Sequence, residues 1–177
     1  SSYARAEANA NSGFMVEVRT EDFGSDHPLA GVELQRKFER AAFALGGGNY
    51  KAPAQLLGDF MKDRPSKGAG TVPPSYKPDV VWSDLRECLS PEIVKTMKEA
   101  VARVERSLPG FQLPDAVLTG VETRSSSPVR IPRDTTTFQC LGVEGFYPAG
   151  EGAGYAGGII SAAADGMRVA EALLRMR

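Results

Sequence analysis

Residues 145–172 read GFYPAGEGAGYAGGIISAAADGMRVAEA, and this stretch is the most informative part of the chain. It predicts a short strand at Phe146–Tyr147, a loop in which every second or third residue is glycine, and a helix of small residues. A loop without side chains lets a ligand contact the backbone directly. The helix that follows directs its free N–H groups and the positive end of its dipole toward that ligand. The pattern is typical of a seat for a nucleotide cofactor.

Three glycines of this stretch, Gly152, Gly154 and Gly157, spell G-x-G-x-x-G. In the dinucleotide-binding fingerprint this motif lies between two strands, and an Asp or Glu about 20 residues later binds the ribose. Only a helix follows here before Arg177, so we expect no βαβ unit and no complete fingerprint. The alternative is that the small residues let the helix pack close to a sheet, but this leaves the bare loop before the helix unexplained.

Hydrophobic spacing and turn residues predict the other elements. These are a strand at Phe14–Arg19, a helix at Leu29–Leu45, a loop at Asp63–Pro78, a helix that Ser90 caps and Pro109 ends, and a strand at Ala116–Val121 that pairs with Val129–Ile131. The segment Lys51–Met61 is ambiguous between strand and helix. The apolar stripe of the capped helix comprises Ile93, Met97, Val101, Val104 and Leu108. The elements together predict the α/β class, in its mixed α+β form, with a small sheet and several helices.

A second candidate site lies in Gly120–Asp134, with sequence GVETRSSSPVRIPRD. Two arginines flank three serines and a proline on a predicted loop between two short strands. Guanidinium groups with hydroxyls beside them are suited to bidentate binding of carboxylate or phosphate oxygens. The candidate ligand-binding residues are Arg124, Ser125, Ser126 and Arg130. The alternative is a hairpin whose arginines pair with Glu122 and Asp134 and whose serines cap turns.

Composition limits the function classes. The chain has 177 residues, 42% hydrophobic and 24% charged, enough for one sizeable core and a satellite. A net charge of −1 with dispersed Lys and Arg predicts neither a nucleic-acid nor a membrane partner. Cys88 and Cys140 form no C-x-x-C motif, which indicates two ordinary buried thiols in a reducing cytoplasm. One histidine, His27, argues against triads and multi-histidine metal sites, and no catalytic residue is predicted.

Four segments carry a resemblance to a known family. They are PAGEGAGYAGGIISAAADG at 148–166, GVETRSSSPVRI at 120–131, PLAGVELQRKFERAAFALGGGNYKAPAQ at 28–55 and PSYKPDV at 74–80. The first resembles the C-terminal flavin motif of the glutathione-reductase-like flavoproteins, which have two dinucleotide-binding domains. The set is similar to the uncharacterised bacterial FAD-dependent, or NAD(FAD)-utilising, dehydrogenases. Members of that family are much longer than this chain and begin with a strand and a true G-x-G-x-x-G.

The resemblance implies the C-terminal piece of a larger FAD-dependent oxidoreductase, inactive alone. Its domains would be a linker at 1–13, a middle or substrate domain at 14–134, and the returning segment of the FAD domain at 135–177. The partners would be the N-terminal FAD-binding half, a small-molecule substrate, and a second copy in a homodimer, with NAD(P)H as a possible electron donor. This piece would expose apolar surface on the helix of Ile159, Ile160 and Ala163. The alternative is a scaffold module whose glycine-rich loop packs or binds a phosphate.

The implied cofactor contacts lie in the glycine-rich stretch. In the resembling motif an acidic residue binds the ribityl chain of FAD, and the following helix points its N-terminus at the pyrimidine edge of the flavin. The acidic residue corresponds to Glu151, which stands between two glycines. The implied FAD-binding residues are Gly150, Glu151, Gly152, Gly157, Gly158 and Ile159. The resemblance also places Arg124 and Arg130 near the flavin or the substrate.

Overall fold

The computed structural model describes residues 3–4, 6 and 8–175, and these divide into two compact units. Unit 1 comprises the described residues up to Arg19 together with Lys37–Val121, and unit 2 comprises Thr20–Arg36 together with the described residues from Glu122 onward. The described residues form three strands and four α-helices, so the predicted mixed α+β class is confirmed. Part of the predicted linker, namely residues 1, 2, 5 and 7, lies outside the described residues. The predicted domain boundaries stay a prediction.

Unit 1 is built on a three-stranded sheet. Its strands are β1 (Ala52–Leu56), β2 (Val80–Trp82) and β3 (Val117–Thr119), in the order β2-β1-β3. β1 pairs with β2 in parallel, with Ala52 opposite Val80, and with β3 in antiparallel, with Gln55 opposite Leu118. β1 is buried almost throughout, as expected of a central strand.

The helices of the chain are α1 (Ala30–Leu45), α2 (Leu57–Met61), α3 (Pro91–Ser107) and α4 (Ile159–Arg175). α3 begins as predicted, because the Ser90 hydroxyl accepts a hydrogen bond from the Ile93 amide at 3.3 Å and Pro91 occupies the first turn. The core of unit 1 comprises Ala42, Leu57, Phe60, Leu85, Cys88, Val94, Met97 and Val101. The predicted stripe of α3 is correct from Ile93, which is partly buried against the core, through Met97 and Val101. Leu108 is exposed, and the stripe omitted Val94, which is buried.

Three sequence predictions of strands are corrected by the structure. Phe14–Arg19 forms no strand; Phe14 and Val16 pack against the core of unit 1 from an extended segment, and this one-sided burial produces the alternation. β3 pairs with β1 and not with Val129–Ile131, because the Gly120 amide donates to the Pro53 carbonyl at 3.0 Å. Phe146–Tyr147 is also not a strand.

The ambiguous segment Lys51–Met61 contains a strand and a helix with no residue between them. β1 ends at Leu56 and α2 begins at Leu57. The amides of Leu57 and Gly58 donate to the carbonyls of Ala116 and Pro114, at 2.8 and 2.9 Å, so the first amides of the helix bond to a neighbouring segment. The sequence pattern of the segment is ambiguous because a strand period and a helix period follow each other without a turn between them.

Unit 2 consists of α4, the first part of α1, a short 3-10 helix at Thr20–Phe23, and loops. α4 is the predicted helix of small residues. It buries Asp165 and Val169 and exposes Ile159, Ile160, Met167 and Leu174. The predicted exposure of Ile159, Ile160 and Ala163 is confirmed, since the two isoleucines are 88% and 81% exposed and Ala163 is exposed as well.

Candidate cofactor-binding loop

The glycine loop, residues 148–158, is a chain of tight turns in unit 2 that leads into α4. The Gly154 amide donates to the Glu151 carbonyl at 2.9 Å, and the Tyr155 amide donates to the Gly150 carbonyl at 3.0 Å. Gly150 and Gly154 have φ of +71° and +81°, in the left-handed region that favours glycine. The loop therefore has a defined shape without regular secondary structure.

The glycines of the loop fall into two groups when a Cβ atom is placed on each. At Gly154 the added carbon would lie 2.5 Å from the Val129 carbonyl oxygen, so this glycine is required for packing. At Gly152 and Gly157 the added carbon meets no atom within 4 Å, and at Gly158 it meets only the Ser161 hydroxyl at 3.8 Å. Packing within the described residues therefore does not explain the second group, which leaves backbone open to a ligand.

The N-terminus of α4 lies at the end of the loop and is bare. The first intrahelical bond of the helix runs from the Ala162 amide to the Gly158 carbonyl at 2.9 Å. Among the described residues no acceptor is recorded for the amides of Ile159, Ile160 and Ser161, and the first turn contains no acidic residue. The positive end of this 17-residue helix is thus uncompensated beside the open glycines.

Glu151 is half-buried at the tip of the first turn. Within the part of the chain that the structure describes, its carboxylate makes no hydrogen bond or ion pair, although its carbonyl closes the turn to Gly154. An ionised carboxylate next to two glycines can accept hydrogen bonds from the hydroxyls of a ligand.

The structure brings the second candidate segment against the glycine loop. The Ile131 amide donates to the Ala153 carbonyl at 3.1 Å, and the Ser127 hydroxyl lies 3.0 Å from the Gly152 carbonyl. The Tyr155 hydroxyl donates to the Ile131 carbonyl at 2.9 Å. The second half of this segment, residues 127–131, therefore lies beside the glycine loop.

Arg130 stacks on the Tyr155 ring, with its guanidinium carbon 4.4 Å from the ring centroid. Arg133 stacks on the same ring at 3.5 Å. The hairpin alternative predicted a pair between Arg130 and Asp134, and the structure does not contain it. The Asp134 carboxylate instead accepts hydrogen bonds from the amides of Thr137 and Thr136, and these bonds lower the pKa of its carboxyl. Arg130 is exposed, and no carboxylate partner is recorded for it among the described residues. It is thus a cation with a fixed stem that can meet an anion.

The other predicted members of this segment, Arg124, Ser125 and Ser126, are exposed on the turn before it. The turn is held by Gln35, whose amide nitrogen donates to the Thr123 carbonyl at 2.7 Å and lies 3.5 Å from the Ser126 carbonyl. Their role in binding a ligand stays a prediction.

Two residues that sequence reasoning missed hold the loop in place. The Asp165 carboxylate forms a two-point ion pair with Arg133, at 2.6 and 2.9 Å, and accepts the Gly150 amide at 2.8 Å. The Arg133 bonds lower the pKa of Asp165 below its usual value. The available sequence signal was an acid on the buried face of an apolar helix, which requires a partner.

Neither a metal centre nor a membrane span is found among the residues that the structure describes. No group of three or more His, Cys, Asp or Glu side chains could hold a metal ion there. The helices of this part of the chain are too short or too polar to cross a membrane. Cys88 and Cys140 are free thiols and both are buried, as predicted.

A bare loop, an unpaired carboxylate and an open helix N-terminus define a segment that can contact a cofactor through its backbone. Comparison with known proteins gives the family: the description "FAD-dependent protein, C-terminal domain-like" matches residues 1–125, and the chain belongs to this family. An uncharacterised protein of Clostridium beijerinckii is 51% identical over 172 residues, which are 97% of this chain and 32% of the relative. The chain thus spans about a third of the length of that relative.

The family match confirms the coarser part of the predicted resemblance. The chain is similar to the C-terminal part of FAD-dependent proteins. The glutathione-reductase-like superfamily, the dehydrogenase activity and the individual site residues stay predictions.

Proposed function

We propose that the chain is the C-terminal portion of an FAD-dependent oxidoreductase and contributes the loop that contacts the ribityl chain and the flavin ring. One observation supports this most. A Cβ atom added at Gly152, Gly157 or Gly158 would meet at most one side-chain atom, and these glycines precede the first amides of α4, which have no acceptor among the described residues. Side chains at these positions would fill the space that a ligand needs next to the backbone. The family match supplies the kind of ligand, since its description names FAD.

Each proposed contact uses a group that the chain leaves unbonded. Glu151 would accept hydrogen bonds from ribityl hydroxyls, because its carboxylate has no recorded partner among the described residues. The amides around Ile159 would stabilise negative charge at the pyrimidine edge, because an α-helix N-terminus favours an anion. When bound, FAD supplies the redox chemistry. Gly150 would give the loop the turn that presents Glu151.

Arg130 is the proposed group for an anionic oxygen of the substrate or the cofactor. Its guanidinium carbon lies 4.4 Å from the centroid of the Tyr155 ring, and this contact reduces the side-chain freedom that is lost when an anion binds. Arg124, Ser125 and Ser126 would add contacts from the adjacent turn. The reaction would involve a small-molecule substrate, with NAD(P)H as the proposed electron donor.

The rest of the proposed enzyme would be the pyrophosphate-binding half of the FAD site. The relative is about three times as long as the aligned region, which leaves room for such a half. The exposed face of α4, formed by Ile160, Met167 and Leu174, is the proposed docking surface, because monomeric proteins rarely leave such apolar faces open. Alternatively, this face would be buried in the interface of a homodimer. The proposed compartment of the protein is the cytoplasm.

A scaffold module is the alternative proposal. It is favoured only by Gly154, whose packing against Val129 needs no ligand. It does not account for the open surroundings of Gly152 and Gly157 or for the exposure of Ile159 and Ile160.

Substitutions in the longer protein test the proposed contacts. Glu151→Gln keeps the shape of the side chain but weakens its hydrogen bonds to hydroxyls, so we expect the Kd for FAD to rise at least tenfold. Gly157→Val adds a side chain where no atom lies within 4 Å and should weaken FAD binding further while the fold persists. Glu144→Gln, an exposed acid in the same unit, is the matched control and should bind FAD as the wild type does. Equal affinity in all four proteins would reject the loop as the flavin contact.

A further inference from the structure

Arg133 and Asp165 form the most enclosed ion pair described in unit 2. Their side chains are 7% and 9% exposed, and the pair makes two bonds of 2.6 and 2.9 Å. The guanidinium lies 3.5 Å from the Tyr155 ring centroid and 4.7 Å from that of Phe138. A cation in this position is fixed by charge, by hydrogen bonds and by two aromatic rings.

Both residues of the pair also form a hydrogen bond with the backbone of the glycine loop. Arg133 donates to the Pro148 carbonyl at 2.6 Å, and Asp165 accepts the Gly150 amide at 2.8 Å. These two backbone groups lie on either side of Ala149, directly before the positive φ of Gly150. Pro148 and Gly150 therefore have their positions set from α4, through Asp165.

A buried ion pair is weak evidence for stability. Removing water from both charges costs about as much as their attraction returns, and apolar replacements of similar volume are often neutral or stabilising. What an apolar pair cannot supply here is an acceptor for the Gly150 amide and a donor for the Pro148 carbonyl. The pair is thus better explained by the shape it imposes on the loop than by the stability it adds.

We propose that Arg133 and Asp165 are positioning residues that hold the glycine loop in its ligand-ready conformation. They lie behind the loop and act through the backbone of Pro148 and Gly150, which sets where Glu151 and Gly152 face the ligand. This inference rests on the proposed function for its ligand, although its structural part does not.

The pair also sets the charge beside the loop. Two guanidiniums stack on the Tyr155 ring, and their mutual repulsion is reduced because Asp165 neutralises Arg133. Arg130 then lies beside a neutralised neighbour and not beside a second free cation. Loss of Asp165 alone would leave two unneutralised cations on one ring, which displaces Arg130 as well as the loop.

Amide hydrogen exchange on this chain tests the structural part. The double variant Arg133→Met/Asp165→Leu replaces the pair with apolar side chains of similar size, so the fold can persist while both loop contacts are lost. We expect the Gly150, Gly154 and Tyr155 amides to exchange at least tenfold faster than in the wild type, with little change in the core of α3. Asp84→Asn is the matched control, because Asp84 is an acid with an 8% exposed side chain paired to Arg86 in unit 1.

Loop amides that stay protected in the double variant would overturn the proposal, whatever the ligand is. Arg133→Lys is the second variant if the double variant does not fold: it keeps the charge but cannot bond Asp165 in two places. The Gly150, Gly154 and Tyr155 amides should exchange faster in it than in the wild type, and wild-type exchange rates at these amides would overturn the proposal.

FAD titration of the same variants in the longer protein tests the link to the ligand. In the double variant we expect the Kd for FAD to rise at least tenfold and the absorbance bands of the bound flavin to shift. Asp84→Asn should leave both the Kd and the absorbance bands unchanged. Faster loop exchange with an unchanged Kd would overturn the positioning role. If the wild-type longer protein itself binds no FAD, the proposed function fails, and the exchange result decides the conformational claim separately.

Discussion

Alanine substitutions at Gly154 and Gly152, two positions apart, should have different effects: the first should lower stability, and the second should weaken FAD binding. Gly154→Ala forces an L-residue to φ of +81°, which costs about 1–2 kcal/mol. It also places a carbon 2.5 Å from the Val129 carbonyl oxygen and 2.9 Å from Arg130 Cα, and such overpacking typically costs about 1–3 kcal/mol. The sum is a loss of about 2–5 kcal/mol in the free energy of unfolding. At about 2–4 °C per kcal/mol for a chain of this size, the Tm should fall by roughly 10 °C.

Gly152→Ala should leave the fold intact and weaken FAD binding. Gly152 has no positive φ, and its added carbon meets nothing within 4 Å. Restricting the unfolded chain then changes stability by about +0.4 to +1 kcal/mol. If Gly152 contacts FAD as proposed, the same methyl group would face the ligand in the longer protein, so the Kd for FAD should rise at least tenfold.

The assay combines thermal unfolding of this chain, followed by circular dichroism, with FAD titration of the longer protein. The contrast between the variants is the result that matters: the Gly154 variant is unstable, and the Gly152 variant is stable but binds FAD poorly. A Gly152 variant that melts as early as the Gly154 variant, or one that binds FAD with wild-type affinity, would refute the division of the glycines into packing and ligand-facing groups.

Three further predictions concern buried groups. Phe60 is fully buried, so Phe60→Ala should lower the free energy of unfolding by about 3–5 kcal/mol in urea titrations; a loss below about 1 kcal/mol would contradict the assigned core. Burial raises the pKa of the Cys88 thiol to about 11, so iodoacetamide should modify Cys88 only after unfolding, as mass spectrometry of the native and urea-treated chain can show. The Arg133 contact lowers the pKa of Asp165, so its stabilisation is complete above the unfolded value of about 3.9 and is lost as the pH falls through the lower folded value. Urea titrations across that acid range should show a steeper loss for the wild type than for Arg133→Met/Asp165→Leu, and parallel curves would contradict the assignment.

The sequence predicts elements well where local chemistry sets them. α3 has a serine cap, a proline in its first turn and a continuous apolar stripe, and it forms where these signals place it. α4 is predicted by its small residues and forms at Ile159–Arg175. The strand prediction for Phe14–Arg19 is wrong because alternating burial also arises in a segment outside any sheet, where Phe14 and Val16 pack against the core. The partner of β3 fails because strand pairing depends on contacts distant in sequence, here with β1.

The candidate site is predictable in part for the same reason. The run of glycines and the isolated Glu151 are visible in the sequence as a local pattern. The Arg133–Asp165 pair joins residues 32 positions apart, and nothing in the sequence indicates which arginine meets the buried acid. The different roles of Gly152 and Gly154 are equally hidden, because they depend on the backbone φ and on what surrounds each Cβ position.

The most direct test of the central claim is one FAD titration on two samples, this chain and the longer protein to which we assign it. We expect stoichiometric FAD with flavin absorbance in the longer protein, and weak or undetectable binding by this chain alone, since it would contribute only the loop side of the proposed site. If neither sample binds FAD, the glycine loop is not a flavin contact and the proposed function is wrong. Tight binding by this chain alone would instead contradict the need for a second half.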